Sequence, residues 1–198
     1  MLDSLPASDF AKPKYNGGII SNILVQNFLN TLIHFVLRLE IKTHFLEVGS
    51  GEGQISSLLH KLGFQIYGID NDEERVKFSK KNNPKIKFIK DDIFKHKRLK
   101  KIDLVLCLEV LEHIKEYNLA IEKIHKLTDK YAIISVPNEP IWRILNFVRG
   151  KYIFSLGNTP GHLNNWTSKE ISEKVKRKFN IIDIKTPLPW TMLLCEKK

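Results

Sequence analysis

Sulfur chemistry is nearly absent from this chain. Its two cysteines, Cys107 and Cys195, form neither a ligand pair nor a disulfide framework, which suits a reducing compartment. Long hydrophobic runs are missing too: no stretch is read as approaching the roughly 20 apolar residues that cross a bilayer. The opening MLDSLPASDF lacks the charged-then-apolar layout of a secretory signal, so the expected location is cytoplasmic. No internal repeat, low-complexity segment or linker breaks the pattern. Residues 1–198 therefore read as one domain, long enough for a sizeable core. Acidic side chains are the scarcer charge, 22 against 32 Lys and Arg, for a net charge of +10. Such an excess can attract nucleic acid or an anionic membrane. Here it is mostly scattered lysine. The dense run KHKRLKK at 95–101 lies between two expected strands and reads as a solvated loop or as a nucleic-acid contact.

What is present is alternation. Residues 1–18 carry polar turn signals without periodicity and make an irregular arm reaching to about residue 20. Ser21 is placed to cap a helix, with Ile23, Leu24, Asn27, Phe28, Thr31, Leu32 and Phe35 along one face. Gln26, Asn30, His34 and Arg38 interrupt its wide apolar arc, which argues for burial against a sheet. Strands are expected at 44–48, 65–69, 86–90, 102–107 and 131–136, separated by helices at roughly 53–62, 72–82 and 117–128. Short buried strands alternating with amphipathic helices give an α/β fold, a parallel sheet with helices on both faces. The tail departs from that rhythm. A helix at about 167–178 leads to NIIDIKT and then TMLLCEK, two runs too close together for a helical crossover, which should pair antiparallel.

The stretch HFLEVGSGEGQISSLL, residues 44–59, joins the first strand to a helix through three glycines. Such a turn sits at the carboxyl edge of a parallel sheet, where ligands bind. A phosphate-cradling loop needs Lys-Ser/Thr after its last glycine, and here Gln54-Ile55 follows Gly53. A dinucleotide fingerprint puts the third glycine three after the second, and that position is Gln54. Glu47, at the end of the strand, would repel a pyrophosphate and welcome an ammonium group. The expected ligand is therefore a nucleoside that carries positive charge. Asp70 ends the second strand, where an acid accepts ribose hydroxyls. Asp92, in FIKDDIF, reads either as the partner of an adenine amino group, with Ile93 over the ring, or as a turn residue.

Taken together, ExGxGxG at 47–53, the acid at 70, DDI at 91–93 and LEVLEHI at 108–114 resemble the class I S-adenosylmethionine-dependent methyltransferases. The resemblance is to the broad subgroup that includes ubiquinone-pathway O-methyltransferases, and it runs from about Phe45 to Pro140. It implies a three-layer Rossmann-like sheet of seven strands, mostly parallel with a reversed last strand. It further implies Glu47 near the methionine ammonium, and Gly49, Ser50, Gly51 and Gly53 around the methionine and ribose. Asp70 with Asn71 falls on the ribose, Asp92 with Ile93 at the adenine, and Leu108 with Glu109 beside the glycine loop. The usual Pro-Gly-Gly turn before the fifth strand is replaced by LTDKYAIISV, away from the cofactor.

The sulfonium methyl of S-adenosylmethionine is already activated, so the protein must hold the acceptor in line and help it lose a proton. Three readings fit VLCLEVLEHI. Glu109 and Glu112 cap the next helix with His113 packed beside them; or His113 is a catalytic base; or Glu109, Glu112, His113 and a later histidine, His162, hold a divalent metal. The last arrangement resembles the ExxEH of small-RNA 2′-O-methyltransferases. VPNEP, 136–140, is expected to wall the acceptor side. The insert at 140–165, with Trp142, Phe147, Tyr152 and Phe154 among Arg143, Arg149 and Lys151, reads as a lid, a lipid-touching surface or a helix packed on the sheet. The arm around Tyr15 can close over the cofactor. The leading expectation is methyl transfer to an oxygen or nitrogen of a small or lipophilic acceptor, with S-adenosylhomocysteine as the product left behind. The alternatives are a non-catalytic S-adenosylmethionine- or RNA-binding module, an RNA methyltransferase, or an NAD-dependent oxidoreductase.

Overall fold

Short runs that are each followed by a glycine, an acid or an asparagine (Gly49, Asn71, Asp91, Glu109 and Asn138) become the parallel strands of a single sheet. The computed structural model describes residues 18–41, 43–97, 101–148 and 161–198. Strands β1 Phe45–Val48, β2 Ile66–Asp70, β3 Lys87–Lys90, β4 Leu104–Leu108 and β5 Tyr131–Pro137 run parallel. β6 Phe179–Lys185 and β7 Trp190–Lys197 pair antiparallel with each other, and β7 is also antiparallel to β5. The sheet order is β3-β2-β1-β4-β5-β7-β6, so the expected seven strands with a reversed last one are observed. Every residue of β1, β2 and β4 is buried, because helices cover both faces.

On one face lie helix α1 Gly18–Arg38 and α2 Gln54–Lys61, which contribute Leu32, Phe35, Leu58 and Leu59 to a core with Phe45 and Leu106. On the other lie α4 Tyr117–Leu127 and α6 Ser168–Lys176, whose Ile121, Ile124, Ile171 and Val175 pack on Leu46, Val105 and Ile134. Helix α3 Glu73–Asn82 follows β2 and starts on Asp72, whose carboxylate accepts from the Glu74 and Arg75 amides. Helix α6 opens on a reciprocal Thr167–Glu170 capping box. Helix α5 Ile141–Val148 follows β5. Because β1 lies between β2 and β4, the chain leaves the sheet centre in opposite directions, and a crevice opens at the carboxyl ends of these strands.

Helix α1 differs from expectation in three ways. It begins at Gly18, so Ser21 is an internal, buried residue and not its cap. Its buried stripe is Val25, Phe28, Leu29, Leu32, Ile33, Phe35 and Val36, while Ile23 and Asn27 face outward. The apolar arc is wide enough to permit either face, and contact with the sheet decides between them. The segment Ile20–Arg38 is also long and apolar enough, by length and composition, to cross a membrane, with 44% of it buried in the protein. This corrects the expectation that no stretch of the chain approaches that length.

At the far end of the sheet, Asp103 is buried before β4 and gathers His44 at 3.1 Å, Lys101 at 3.4 Å and Lys130 at 3.8 Å. Burial alone would raise its carboxyl. Hydrogen bonds from His44 and Lys101, with the charges of Lys101 and Lys130, outweigh that and hold it below the usual aspartate value. In the 95–101 run Lys95, Lys97 and Lys101 are exposed as expected, but His96 is buried. Residues 98–100, the arm around Tyr15 and the insert residues Arg149, Lys151, Tyr152 and Phe154 lie outside the described residues.

Candidate active site

The turn after β1 is built from backbone. The amides of Gly49 and Ser50 both donate to the Ile69 carbonyl, at 2.8 and 3.0 Å, which pins the loop to the end of β2. Gly49 has φ of +71°, and a Cβ there would collide with the Val110 side chain. At Gly51, φ is +53° and nothing lies within 4 Å of where a Cβ would stand, so bare backbone faces open space. Gly53 has another role. It is buried, and a Cβ would come within 2.6 Å of the Phe88 ring.

Above this turn lies a cavity of about 630 Å³ at the carboxyl edge of the sheet. Glu47, Gly49, Ser50, Gly51, Asp70, Asn71, Asp92, Ile93, Leu108, Glu109 and His113 all line it. Of the residues singled out from sequence for the cofactor and for catalysis, Gly53 alone is not on the wall, and its contribution is the packing just described. Six carboxylates, those of Glu47, Glu52, Asp70, Asp91, Asp92 and Glu109, share the lining with one guanidinium, that of Arg75. A molecule of net charge +10 thus carries an acidic cleft, and clefts with low-dielectric walls concentrate their field.

Four of these acids, Glu47, Asp70, Asp92 and Glu109, are held by specific contacts. The Ser56 hydroxyl donates to Glu47 Oε2 at 2.5 Å, and Glu47 is buried. Asp70 accepts from the Gly51 amide through Oδ2 at 2.7 Å and from the Asp72 amide through Oδ1 at 2.9 Å. It therefore ties the glycine turn to the start of α3 as well as facing the cavity. Asp92 accepts from the Phe94 amide at 2.8 Å, and its carbonyl takes the amides of Lys95 and His96. Asp92 is thus a turn residue that also lines the cavity. Glu109 has φ of +58°, unusual for a side chain of its size, and its carboxylate accepts from Ser135 Oγ at 3.0 Å.

After β4 comes a short 3₁₀ turn, Leu111–His113. Neither Glu109 nor Glu112 caps α4, whose first turn is preceded by Glu116 without a side-chain cap. Glu112 is buried, and its carbonyl accepts from the amides of Leu163 and Asn164 at 2.8 and 3.1 Å. His113 Nδ1 lies 2.9 Å from the Gly161 carbonyl, so in the neutral ring that nitrogen carries the proton and Nε2 the lone pair. Nε2 is 4.0 Å from Glu112 Oε1. Ligand atoms of Glu112, His113 and His162 lie within 4.8 Å of one another. Glu109, the fourth member of the metal set expected from sequence, is outside this group. Burial, and then the neighbouring His113, push the His162 imidazole down to about 4.

A chain of rings closes the far side. His113 meets His162 at 4.9 Å, His162 meets Trp142 at 5.9 Å, Trp142 meets Trp190 at 5.8 Å, and Trp190 meets Phe28 edge-on at 5.1 Å. Phe28, Trp190, Val25 and Leu29 line the cavity there. VPNEP, expected as this wall, contributes none of its lining. Sequence reading missed α1 and Trp190 as wall elements, because an apolar helix face and an apolar strand carry no signal beyond core packing. It also missed Asp91, although that residue stands beside Asp92 in the same motif.

A family model described as a methyltransferase domain matches residues 39–183. The chain belongs to that family. Among curated proteins, this methyltransferase domain is 33% identical over 133 residues to a ubiquinone biosynthesis O-methyltransferase of Rickettsia canadensis, covering 64% of the chain and 56% of the relative. It is 29% identical over 117 residues to one from Pelagibacter ubique, covering 56% and 45%. The chain spans about half the length of these relatives. Its fold matches magnesium protoporphyrin IX methyltransferase from Synechocystis, crystallised with S-adenosylhomocysteine, at a TM-score of 0.73 and 19% identity over 96% of this chain and 94% of the other. An N-methyltransferase from Bradyrhizobium japonicum, also with S-adenosylhomocysteine, matches at 0.67 and 11% over 88% and 87%. All six cavity carboxylates fall inside the matched residues of the methyltransferase domain. Val25, Phe28, Leu29 and Trp190 fall outside them.

Proposed function

We propose that this methyltransferase moves a methyl group from S-adenosylmethionine to an oxygen or nitrogen of a small, lipophilic acceptor, and the name of its relatives favours oxygen. The observation that carries the reading is the acidic cavity against a backbone-lined turn. Its six carboxylates would repel a diphosphate and attract a cationic amino-acid tail. In this reading Glu47 receives the ammonium group and the Gly49–Gly51 backbone lies along the amino-acid and ribose portion. Asp70 and Asn71 take the ribose hydroxyls, Asp92 and Ile93 the adenine, and Leu108 and Glu109 close the side next to β4.

When bound, S-adenosylmethionine supplies a methyl group already activated on sulfur. The protein's part is then placement and proton removal. The Val25, Phe28, Leu29 and Trp190 wall offers an apolar surface to an acceptor and excludes water from it. His113 is the proposed base. Its Nδ1 proton is committed to Gly161, its Nε2 is open to a proton from the acceptor, and the Glu112 carboxylate at 4.0 Å favours the imidazolium that results. The test is to incubate the purified protein with S-adenosylmethionine labelled in its methyl group and a bacterial extract. Label should enter the organic-soluble fraction. Label confined to RNA would support an RNA methyltransferase, and none in any fraction a non-catalytic module. Tighter binding of NAD than of S-adenosylhomocysteine would overturn the cofactor assignment.

A second reading has a specific observation behind it. Glu112, His113 and His162 could hold a divalent cation, since two imidazoles and a carboxylate gather within 4.8 Å and the Gly161 carbonyl orients one ring as in many metal sites. Such a metal would lower the proton affinity of an acceptor hydroxyl. It would occupy the same Nε2 the base uses, so the two readings exclude each other. Methyl transfer that persists in a strong chelator removes the metal reading, and transfer restored by added Mg²⁺, Mn²⁺ or Zn²⁺ removes the base.

A further inference from the structure

We infer that His96 is a positioning residue that acts through Asp91 to set the adenine end of the cavity, and with it the choice of nucleobase. The inference rests on the cofactor reading above. Its basis is a chain of hydrogen bonds that the proposed chemistry does not otherwise use. His96 is buried at 1% exposure, and its Nδ1 lies 2.7 Å from Asp91 Oδ2. A carboxylate only accepts, so Nδ1 carries the shared proton. The other oxygen of Asp91 accepts from the Asp92 amide at 2.8 Å. The Asp91 amide donates to the Asp70 carbonyl at 2.9 Å, and the Asp70 carboxylate in turn holds the Gly51 amide. One connected network thus runs from a buried imidazole behind the wall, through the proposed adenine side, to the glycine turn.

A purely packing residue at position 96 would not need to be histidine. The ring packs near Tyr67, with centroids 6.3 Å apart, and its Nε2 is buried without a hydrogen-bond partner among the described residues. An aliphatic or phenyl side chain would fill that space without stranding a polar atom. What the imidazole adds is the Nδ1–Asp91 bond. That bond fixes Asp91, the Asp92 amide is bound to Asp91, and Asp92 is left with one oxygen committed to the Phe94 amide. The Asp92 carboxylate is thereby held to accept from an exocyclic amino group. A hypoxanthine presents a carbonyl at the same place, which a carboxylate repels, and sites built around a hydrogen bond reject analogues that lack it.

The test measures calorimetric affinities for S-adenosylhomocysteine and S-inosylhomocysteine in the full chain. Wild type should prefer the adenine compound at least tenfold. His96→Asn places an amide nitrogen where Nδ1 stands and should keep the preference. His96→Leu should lower it below threefold, as should His96→Gln, whose amide reaches the Nε2 position; the Gln variant stands in if Leu does not fold. Equal loss of affinity for both ligands with the ratio intact, or wild-type ratios in the Leu and Gln variants, would overturn the inference. So would a wild-type protein that binds both ligands equally, although the cofactor reading would survive. A wild-type protein that binds neither removes both.

Discussion

Substituting alanine for Gly49 tests the geometry of the glycine turn with two separable contributions. At φ of +71° an L-residue loses about 1–2 kcal/mol relative to glycine. The new Cβ would also overlap one methyl of Val110 and sit 3.4 Å from the other. Val110 is half-buried, packing against the core on one side and lining the cavity on the other, and overpacking against it costs about 1–3 kcal/mol. The Gly49→Ala chain should therefore be less stable by about 2–5 kcal/mol, the sum of these contributions. Val110→Ala removes the obstructing methyls. In the double variant the alanine at 49 should cost only the backbone contribution, leaving a coupling of about 1–3 kcal/mol. Urea unfolding followed by circular dichroism measures all four corners of the cycle. Additive single effects would show that Val110 is not the obstacle. A Gly49→Ala chain as stable as wild type would show that the turn is not left-handed there.

Three further outcomes follow from the site and its surroundings. Glu47→Gln keeps an acceptor for Ser56 but removes the charge, and should weaken S-adenosylhomocysteine binding by about 1.5–3 kcal/mol, roughly 10- to 150-fold; calorimetry showing unchanged affinity would contradict the ammonium assignment. His113→Asn retains a donor for the Gly161 carbonyl while losing Nε2. It should leave S-adenosylhomocysteine affinity intact and slow methyl transfer about 10²- to 10⁴-fold, and full activity would rule out the base. Asp103, held below its usual value, stabilises the fold in its charged form, a contribution present above the unfolded pKa and lost as pH falls through the lower folded one. Asp103→Asn should thus cost about 1–2 kcal/mol at neutral pH, with the gap to wild type narrowing below pH 3.8. A gap of the same size at pH 7 and pH 3 would contradict this account.

The parallel half of the sheet was legible because each strand is short, largely apolar and followed by a turn whose residues advertise it. β2 and β5 fall within a residue of their expected ends. The reversed pair was legible from distance alone, since the few residues between Lys185 and Trp190 cannot carry a helix. Many of the residues that line the cavity were also readable, because a glycine or an acid at a strand end has few other reasons to be there. Where two physical choices were equally open, sequence could not decide. Ile23 and Phe28 are both large and apolar, yet only Phe28 is buried. Likewise Glu109 and Glu112 are one helical turn apart, which suggested a shared site. The left-handed backbone at Glu109 instead turns its carboxylate to Ser135. His96, inside a run of basic residues, gave no hint that it was internal, because its acceptor, Asp91, is set by the fold around it.

The apolar wall opposite the carboxylates is supplied chiefly by one helix, through Val25, Phe28 and Leu29. The same helix packs Leu32 and Phe35 into the core beside Phe45 and Leu106, so its cavity-facing residues precede the turns that anchor it to the sheet. On the proposed reading, the apolar surface offered to the acceptor would thus come largely from polypeptide outside the carboxylate-bearing turns. Substitutions confined to Val25, Phe28 and Leu29 should, on that reading, change which acceptor is taken while affinity for S-adenosylhomocysteine stays as it was.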